Sequence, residues 1–173
     1  MYHLNNELVA TNSGRIVGEV IIPGDKSISH RAVILGSLAR GESKIDNCLM
    51  GDDVLATIRA FKNLGINIKI ASENTLMING CDMSVVQADY SLDLGNSGTS
   101  IRLIMGLFAG MRVAARLTGD DSLKKRPMKR VSDPLQKMGA RIALTNNEYP
   151  PVRVYSSDTL KPIDFEPPVA SAQ

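Results

Sequence analysis

Pro23-Gly24-Asp25-Lys26-Ser27-Ile28-Ser29-His30-Arg31 stands between an apolar, strand-patterned run, Ile16 to Ile22, and a run of helical spacing, Ala32 to Ala39. A strand, a Pro-Gly turn and a helix start form one α/β building block. The first helical N–H groups lack intrahelical partners and face the turn, where they attract anions. Lys26 adds a mobile positive charge. Ser27 and Arg31, four residues apart, share one helix face. A hydroxyl beside a guanidinium suits a carboxylate or phosphate, which Arg binds through two parallel hydrogen bonds. The competing reading makes Ser27 a helix cap and leaves Lys26 and Arg31 solvated, and this segment alone does not separate the two. It is not a Walker A loop, because Asp25 separates Gly24 from Lys26 and the earlier glycine of G-x-x-x-x-G-K-[ST] is missing.

Outward from this stretch the elements follow a pattern. The first helix carries its apolar stripe on Ile28, Ala32, Leu35, Gly36 and Ala39 and stops at Arg40-Gly41. Ser43 to Cys48 reads as a strand. Gly51-Asp52-Asp53 starts a second helix with Val54, Leu55, Ile58 and Phe61 on one face, ending at Leu64-Gly65. Ile66 to Ile70 and Thr75 to Ile78 read as strands. The same order then recurs: a strand at Ser91 to Leu94, the small-residue turn Gly95-Asn96-Ser97-Gly98-Thr99-Ser100, and a helix at Ile101 to Ala109 that is apolar nearly all round and therefore buried. A strand at Arg112 to Thr118 leads to Gly119-Asp120-Asp121, a helix at Met128 to Met138 containing Pro134, and strands at Arg141 to Leu144 and Val152 to Tyr155.

Arg31 thus corresponds to Arg102, Gly51 to Gly119 and Gly65 to Gly139. The pattern is a duplicated βαβαββ unit with an insertion around Lys124 to Lys129. The units are read as 15–80 and 81–158, preceded by a tail at 1–14. A third unit begins at 159–173, with a strand at Ile163 to Phe165 and a helix start at Val169 to Gln173. A chain that stops on the first residues of a helix reads as a fragment of a longer protein.

Composition narrows the function classes. The chain has 173 residues, 43% of them apolar, which suits one domain or two small ones. A net charge of +2 does not by itself point to nucleic acid, and with 4% aromatics and no Trp, stacking platforms for single strands are scarce. Cys48 and Cys81 form no C-x-x-C pair and fit a reducing, cytoplasmic compartment with no metal site. Met1 to Gly14 lacks an apolar signal core, and the longest apolar run, Leu103 to Met111, is too short to span a bilayer.

Each unit places small or polar residues where its first helix begins: Asp25-Lys26-Ser27, Asn96-Ser97-Gly98-Thr99 and Ser171-Ala172-Gln173. Side by side, these starts bring the positive ends of three helix dipoles together. Lys124-Lys125-Arg126-Pro127 adds further positive charge, and glycine at 98 lets backbone approach a ligand closely. Lys26, Arg31 and Arg126 then suit a ligand with several negative groups, although Arg126 by itself reads more readily as part of a solvated charge run. Arg102, on the buried helix, is expected to be structural and to pair with a carboxylate.

G-D-K-S-I-S-H-R-A, L-G-N-S-G-T-S-I-R-L, K-R-P-M and the terminal S-A-Q together resemble the 5-enolpyruvylshikimate-3-phosphate synthase family, from about Gly14 to Gln173. The resemblance implies an inside-out α/β fold, a βα barrel of repeated βαβαββ units with buried helices, here incomplete. It implies that the 1–14 tail belongs to an opposite domain reached by a crossover. The implied reaction transfers the enolpyruvyl group of phosphoenolpyruvate to shikimate 3-phosphate by addition and elimination, releasing phosphate, with no metal or organic cofactor. It serves aromatic amino acid biosynthesis and is the target of glyphosate.

By motif match, Lys26 would contact both substrates and assist proton transfer, and Ser27 and Arg31 would hold the shikimate carboxylate. The Gly98 N–H and Arg126 would bind phosphoenolpyruvate, with Asn96 shaping the turn. Ser171 and the Ala172 backbone would meet the shikimate phosphate, and Gln173 would lie against both substrates. The proton-transferring Asp and Glu of the family, with further Arg and Lys clamps, would come from a missing C-terminal half. No nucleic acid or membrane partner is implied. The sister family acting on a UDP-sugar usually carries a reactive Cys five residues before the loop Arg, where this chain has Asp121, and Lys-Asn where it has Lys26-Ser27. A non-catalytic anion- or RNA-binding module on the same repeat is the alternative from another class; scarce aromatics and the S-x-S-x-R and S-A-Q motifs speak against it.

Overall fold

A computed structural model of the chain describes residues 2–4, 7–9, 11, 14–15, 17–81, 89–111, 113–157 and 159–167. A short antiparallel hairpin comes first, β1 (Tyr2–Leu4) on β2 (Glu7–Val9). The body then runs α1 (Lys26–Leu38), β3 (Arg40–Ile45), α2 (Asp52–Asn63), β4 (Asn67–Ser72) and β5 (Thr75–Cys81). It continues through β6 (Tyr90–Asp93), α3 (Gly98–Met111), β7 (Ala115–Thr118), a 3-10 turn (Leu123–Lys125), α4 (Lys129–Lys137), β8 (Arg141–Thr145) and β9 (Tyr149–Tyr155).

The two sheets carry the same wiring. The second has the order β6-β7-β9-β8, with β6 parallel to β7 and the other pairs antiparallel. The first has the order β3-β5-β4, all antiparallel, which repeats the β7-β9-β8 part. What the first sheet lacks is the counterpart of β6. The stretch expected to supply it does not form a strand. Residues 17–25 are extended coil, with Val17, Val20, Ile21 and Ile22 70–94% exposed; Ile16 lies outside the described residues. Apolar alternation supplies a face, but a strand also needs a ladder partner, and among the described residues this segment has none. Near its end Asn47 Nδ2 donates to the Ile22 carbonyl at 3.4 Å. Ile163 to Phe165, read as the first strand of a third unit, is likewise coil, and Val169 to Gln173 lie outside the described residues.

The helices occupy the middle. Among α3 residues only Gly110 is exposed, as its all-round apolar pattern requires. Ile101, Ile104, Met105 and Phe108 are fully buried and share one core with Phe61 of α2 and with Leu76, Ile78, Leu117, Val152 and Val154 of the sheets. Strand alternation sets which side faces this core: in β9 Val152 and Val154 point in, while Arg153 and Tyr155 point out. α2 is held to α1 and α3 by buried polar contacts as well as apolar ones. The second G-D-D plays a different part from the first. Gly51 caps α2 and puts Asp52 and Asp53 in its first turn, where negative charge meets the helix dipole favourably. Asp120 instead opens the 3-10 turn, and α4 starts only at Lys129. The residues between are the insertion expected from the repeat.

α1 lies directly on β5. A Cβ on Gly80 would come within 2.3 Å of the carbonyl oxygens of both Gly36 and Ala39. Gly80→Ala should therefore force helix and strand apart and lower stability by about 1–3 kcal/mol. Gly106→Ala, inside α3 where nothing lies within 4 Å of the added carbon, should be neutral or gain up to ~1 kcal/mol of helix propensity. Urea unfolding midpoints of the two variants check the pair; equal loss in both would contradict this packing.

Candidate anion site at the starts of α1 and α3

Asp25 caps α1, as its place in the motif implies: its carboxylate accepts from Ile28 N at 2.7 Å. Lys26 and Ser27 therefore sit in the first turn beside the unbonded amides. Arg31 folds back over that turn, its Nη1 donating to the Ser27 carbonyl at 3.1 Å, so Ser27 and Arg31 do share a face. Lys26 is half-exposed and pairs with Asp53 at 3.0 Å, across from the first turn of α2. Ser29 turns inward and splices the turn to the next loop: its hydroxyl donates to Asp25 O at 2.7 Å and accepts from Leu49 N at 2.9 Å.

α3 begins on Ser97, whose Oγ accepts from Ser100 N at 3.2 Å. Gly98 is its first residue, and two guanidinium groups crowd it. A Cβ built on Gly98 would lie 2.7 Å from Arg102 Nη1 and 3.1 Å from Arg126 Nη1. The glycine at 98 thus makes room for two cations beside the free amides of a helix start. Arg126 donates to Asn96 Oδ1 and, at 3.4 Å, to Ser122 Oγ. Asn96 is in turn held by Asp120, to which its Nδ2 donates at 2.8 Å. The other Asp120 oxygen accepts from Leu123 N at 2.7 Å. The Leu123 N–H first, then Asn96, hold the Asp120 carboxyl below the ordinary aspartate value. Gly119 lets the two loops meet: a Cβ there would fall 2.2 Å from Gly95 O.

Arg102 departs from expectation. Among the described residues it meets no carboxylate. Nη1 donates to Gly98 O at 3.0 Å and Nη2 to Pro127 O at 3.3 Å, while Nε is buried without a partner. Burial first, then the charges of Arg126 and Arg130, push its pKa below the usual arginine value. A guanidinium left with carbonyls and two cationic neighbours at a positive helix end is a place for an anion rather than a structural ion pair.

The two helix starts adjoin. His30 of α1 reaches Ser100 in the first turn of α3, Nδ1 to Oγ, at 3.3 Å. The structure thus gathers Lys26, Ser27 and Arg31 at one start and Asn96, Gly98 and Arg126 at its neighbour. Ser171, Ala172 and Gln173 lie outside the described residues. Among the described residues no group of His, Cys, Asp or Glu is arranged to hold a metal, and no helix is long and apolar enough to cross a membrane.

Comparison with known proteins gives this arrangement a family. The model of EPSP synthase (3-phosphoshikimate 1-carboxyvinyltransferase) matches residues 10–173. This chain belongs to the EPSP synthase family. A 3-phosphoshikimate 1-carboxyvinyltransferase of Streptococcus gordonii is 46% identical over 165 residues, covering 94% of this chain and 38% of the relative. One of Streptococcus agalactiae is 47% identical over 164 residues with the same coverage. The solved EPSP synthase from Acinetobacter baumannii superposes with a TM-score of 0.84 at 40% identity, over 90% of this chain and 36% of that one. The chain therefore spans rather more than a third of the length of these relatives. It carries part of the family's inside-out α/β fold, with helices inside and sheets outside.

Residue patterns alone missed Arg102, Asp53 and Asp120 as parts of the site. The repeated G-D-D was the available signal for both aspartates, and the match of Arg31 to Arg102 in the repeat was the signal for the arginine. Asp120 should titrate below the ordinary aspartate value, and Asn96→Ala should bring it back toward that value. Its contribution to stability is then complete above the ordinary value and lost as pH falls through the depressed one. Carboxyl-carbon NMR titration reads both; an Asp120 that titrates at or above the ordinary value would contradict the bridge to Asn96.

Proposed function

We propose that this chain supplies the substrate-binding helix starts for transfer of the enolpyruvyl group from phosphoenolpyruvate to shikimate 3-phosphate, with release of phosphate. The observation that carries the reading is the pair Arg102 and Arg126 at the start of α3, closed in on Gly98 with no carboxylate among the described residues to neutralise Arg102. In this reading the Gly98 amide and Arg126 take phosphoenolpyruvate, with Asn96 setting the angle of the Arg126 guanidinium. Lys26 exchanges Asp53 for substrate when both are bound and assists proton transfer. Ser27 and Arg31, lying over the same first turn, take the shikimate carboxylate. Ser171, Ala172 and Gln173 take the shikimate phosphate and the contact with both substrates.

The greater length of the relatives supplies the opposite domain, which closes on the substrates, excludes water and brings the carboxyl groups that move the proton. The residues divide as a tail at 1–14, units at 15–80 and 81–158 and the opening of a third at 159–173. The enzyme works in the cytoplasm within aromatic amino acid biosynthesis and uses no cofactor.

Phosphate release that requires both substrates, in the presence of a metal chelator, tests the reading. The longer protein containing this chain should turn over and the 173-residue chain by itself should not; release by neither, with the longer protein folded, would refute the function. In the longer protein, Lys26→Met should cut turnover by about a hundredfold or more, as loss of a positioned charge in a closed site does. Arg126→Ala should raise the KM for phosphoenolpyruvate more than that for shikimate 3-phosphate, and equal rises would place Arg126 on the wrong ligand. Gly98→Ala drives its methyl into the two guanidiniums. A ligand longer than phosphoenolpyruvate feels the displaced groups more, so the inhibition constant of glyphosate should rise roughly ten- to hundredfold, well beyond the rise in KM for phosphoenolpyruvate. Equal factors for the two would show that Gly98 does not line the pocket.

A further inference from the structure

We infer that His30 is a positioning residue, which fixes the start of α3, and with it the anion site, through hydrogen bonds to Thr57 and Ser100. The inference rests on the anion-site reading but adds a residue that touches no ligand. His30 is fully buried on α1. Its Nδ1 lies 2.8 Å from Thr57 Oγ1 of α2 and 3.3 Å from Ser100 Oγ of α3. Thr57 and Ser100 are 2.5 Å apart, oxygen to oxygen, and Ser100 Oγ donates to Ser97 Oγ at 2.6 Å. Ser97 is the residue that caps α3 beside Gly98. All four side chains are buried. One imidazole therefore joins three helices at the turn where two of them present their free amides.

Counting protons fixes the direction of the chain. Each hydroxyl has one proton to give, and that of Ser100 goes to Ser97. Thr57 and Ser100, 2.5 Å apart, need a proton between them, and with that of Ser100 already used it is the proton of Thr57. Nδ1–H supplies Thr57, which leaves Nε2 as a bare buried acceptor without a partner. A protonated ring would bury a charge and an unmet N–H. Burial accordingly pushes the His30 pKa below the ordinary histidine value; of the facing charges Asp53 opposes this, while Lys26 and Arg31 add to it. The neutral ring is a fixed donor. Apolar packing would hold three helices together equally well, but it would leave α3 free to slide or rotate by a fraction of a turn. A directional link from α1 to the cap of α3 removes that freedom, and Gly98 and Arg102 move with the cap.

A double-mutant cycle on the 173-residue chain tests this, with His30→Leu, Ser100→Ala and both together. Two quantities are read: amide exchange at Ser100 and Ile101, and the dissociation constant of inorganic phosphate followed at the Gly98 amide. Each single variant should speed exchange at those two amides by about tenfold or more and weaken phosphate by about tenfold, leaving α4 amides unchanged. The double variant should be no worse than either single one, since both break the same link. His30→Asn, which keeps a donor near the place of Nδ1, should restore both readouts. Thr57→Val, close to isosteric, should reproduce the loss and serves where His30→Leu fails to fold. Additive losses, uniform acceleration through all helices, or phosphate binding unchanged in His30→Leu would each overturn the proposal. If the wild-type chain takes no phosphate at Gly98, the anion-site reading fails, and the exchange cycle still decides the role of His30.

Discussion

Two guanidinium groups held against the positive end of a helix are the constraint that the rest of this structure answers. Arg102 and Arg126 crowd Gly98 at the start of α3, where the helix dipole already favours negative charge. Placing cations there is unfavourable until an anion arrives. The fold sustains the arrangement with neutral dipoles. Arg102 donates to the carbonyls of Gly98 and Pro127, and Arg126 to the amide oxygen of Asn96. The nearest carboxylate in the network, Asp120, reaches Arg126 only through Asn96. Polar groups fix the geometry while no carboxylate among the described residues meets Arg102, the arrangement that the proposed anion site requires.

Preorganisation also explains where glycine is placed. Gly98 leaves space for the arginines, Gly119 allows the 118–120 loop to touch Gly95, and Gly80 lets α1 sit on β5. Each is a close approach that a methyl group would undo. The α1 start is built on the same plan with different parts: Asp25 caps, Ser29 ties the turn to Leu49, and Lys26 waits on Asp53. Because His30, Thr57 and Ser100 bind the helices to one another below this surface, the two starts form one platform.

Most of the fold was legible in the sequence because the repeat showed it twice. The elements from α2 to β9 fall where periodicity put them, within a few residues, and the all-apolar pattern of α3 correctly marked it as interior. Some readings failed for identifiable reasons. α1 turns Val33 and Ile34 inward and leaves Ile28 and Leu35 of the expected apolar stripe exposed, because its buried face also carries the polar Ser29, His30 and Ser37, which apolar spacing does not count. Residues 17–22 have the pattern of a strand but no strand to pair with among the described residues, and pattern carries no information about pairing. Arg102 was expected to meet a carboxylate because buried charges generally do; its carbonyl partners come from the backbone, which side-chain patterns do not reveal. At the site, the motif residues of the two described helix starts could be placed from the sequence, whereas the aspartates behind them needed coordinates.

The most direct test of the anion site is an amide-resolved NMR titration of the 173-residue chain with inorganic phosphate at low ionic strength. The Gly98 amide and the Arg102 and Arg126 side chains should shift together with one dissociation constant, and Arg126→Ala should weaken it while leaving the outer-sheet residues Arg116 and Arg153 unaffected. Shifts confined to Arg116 and Arg153, or a Gly98 amide that ignores phosphate, would contradict the account.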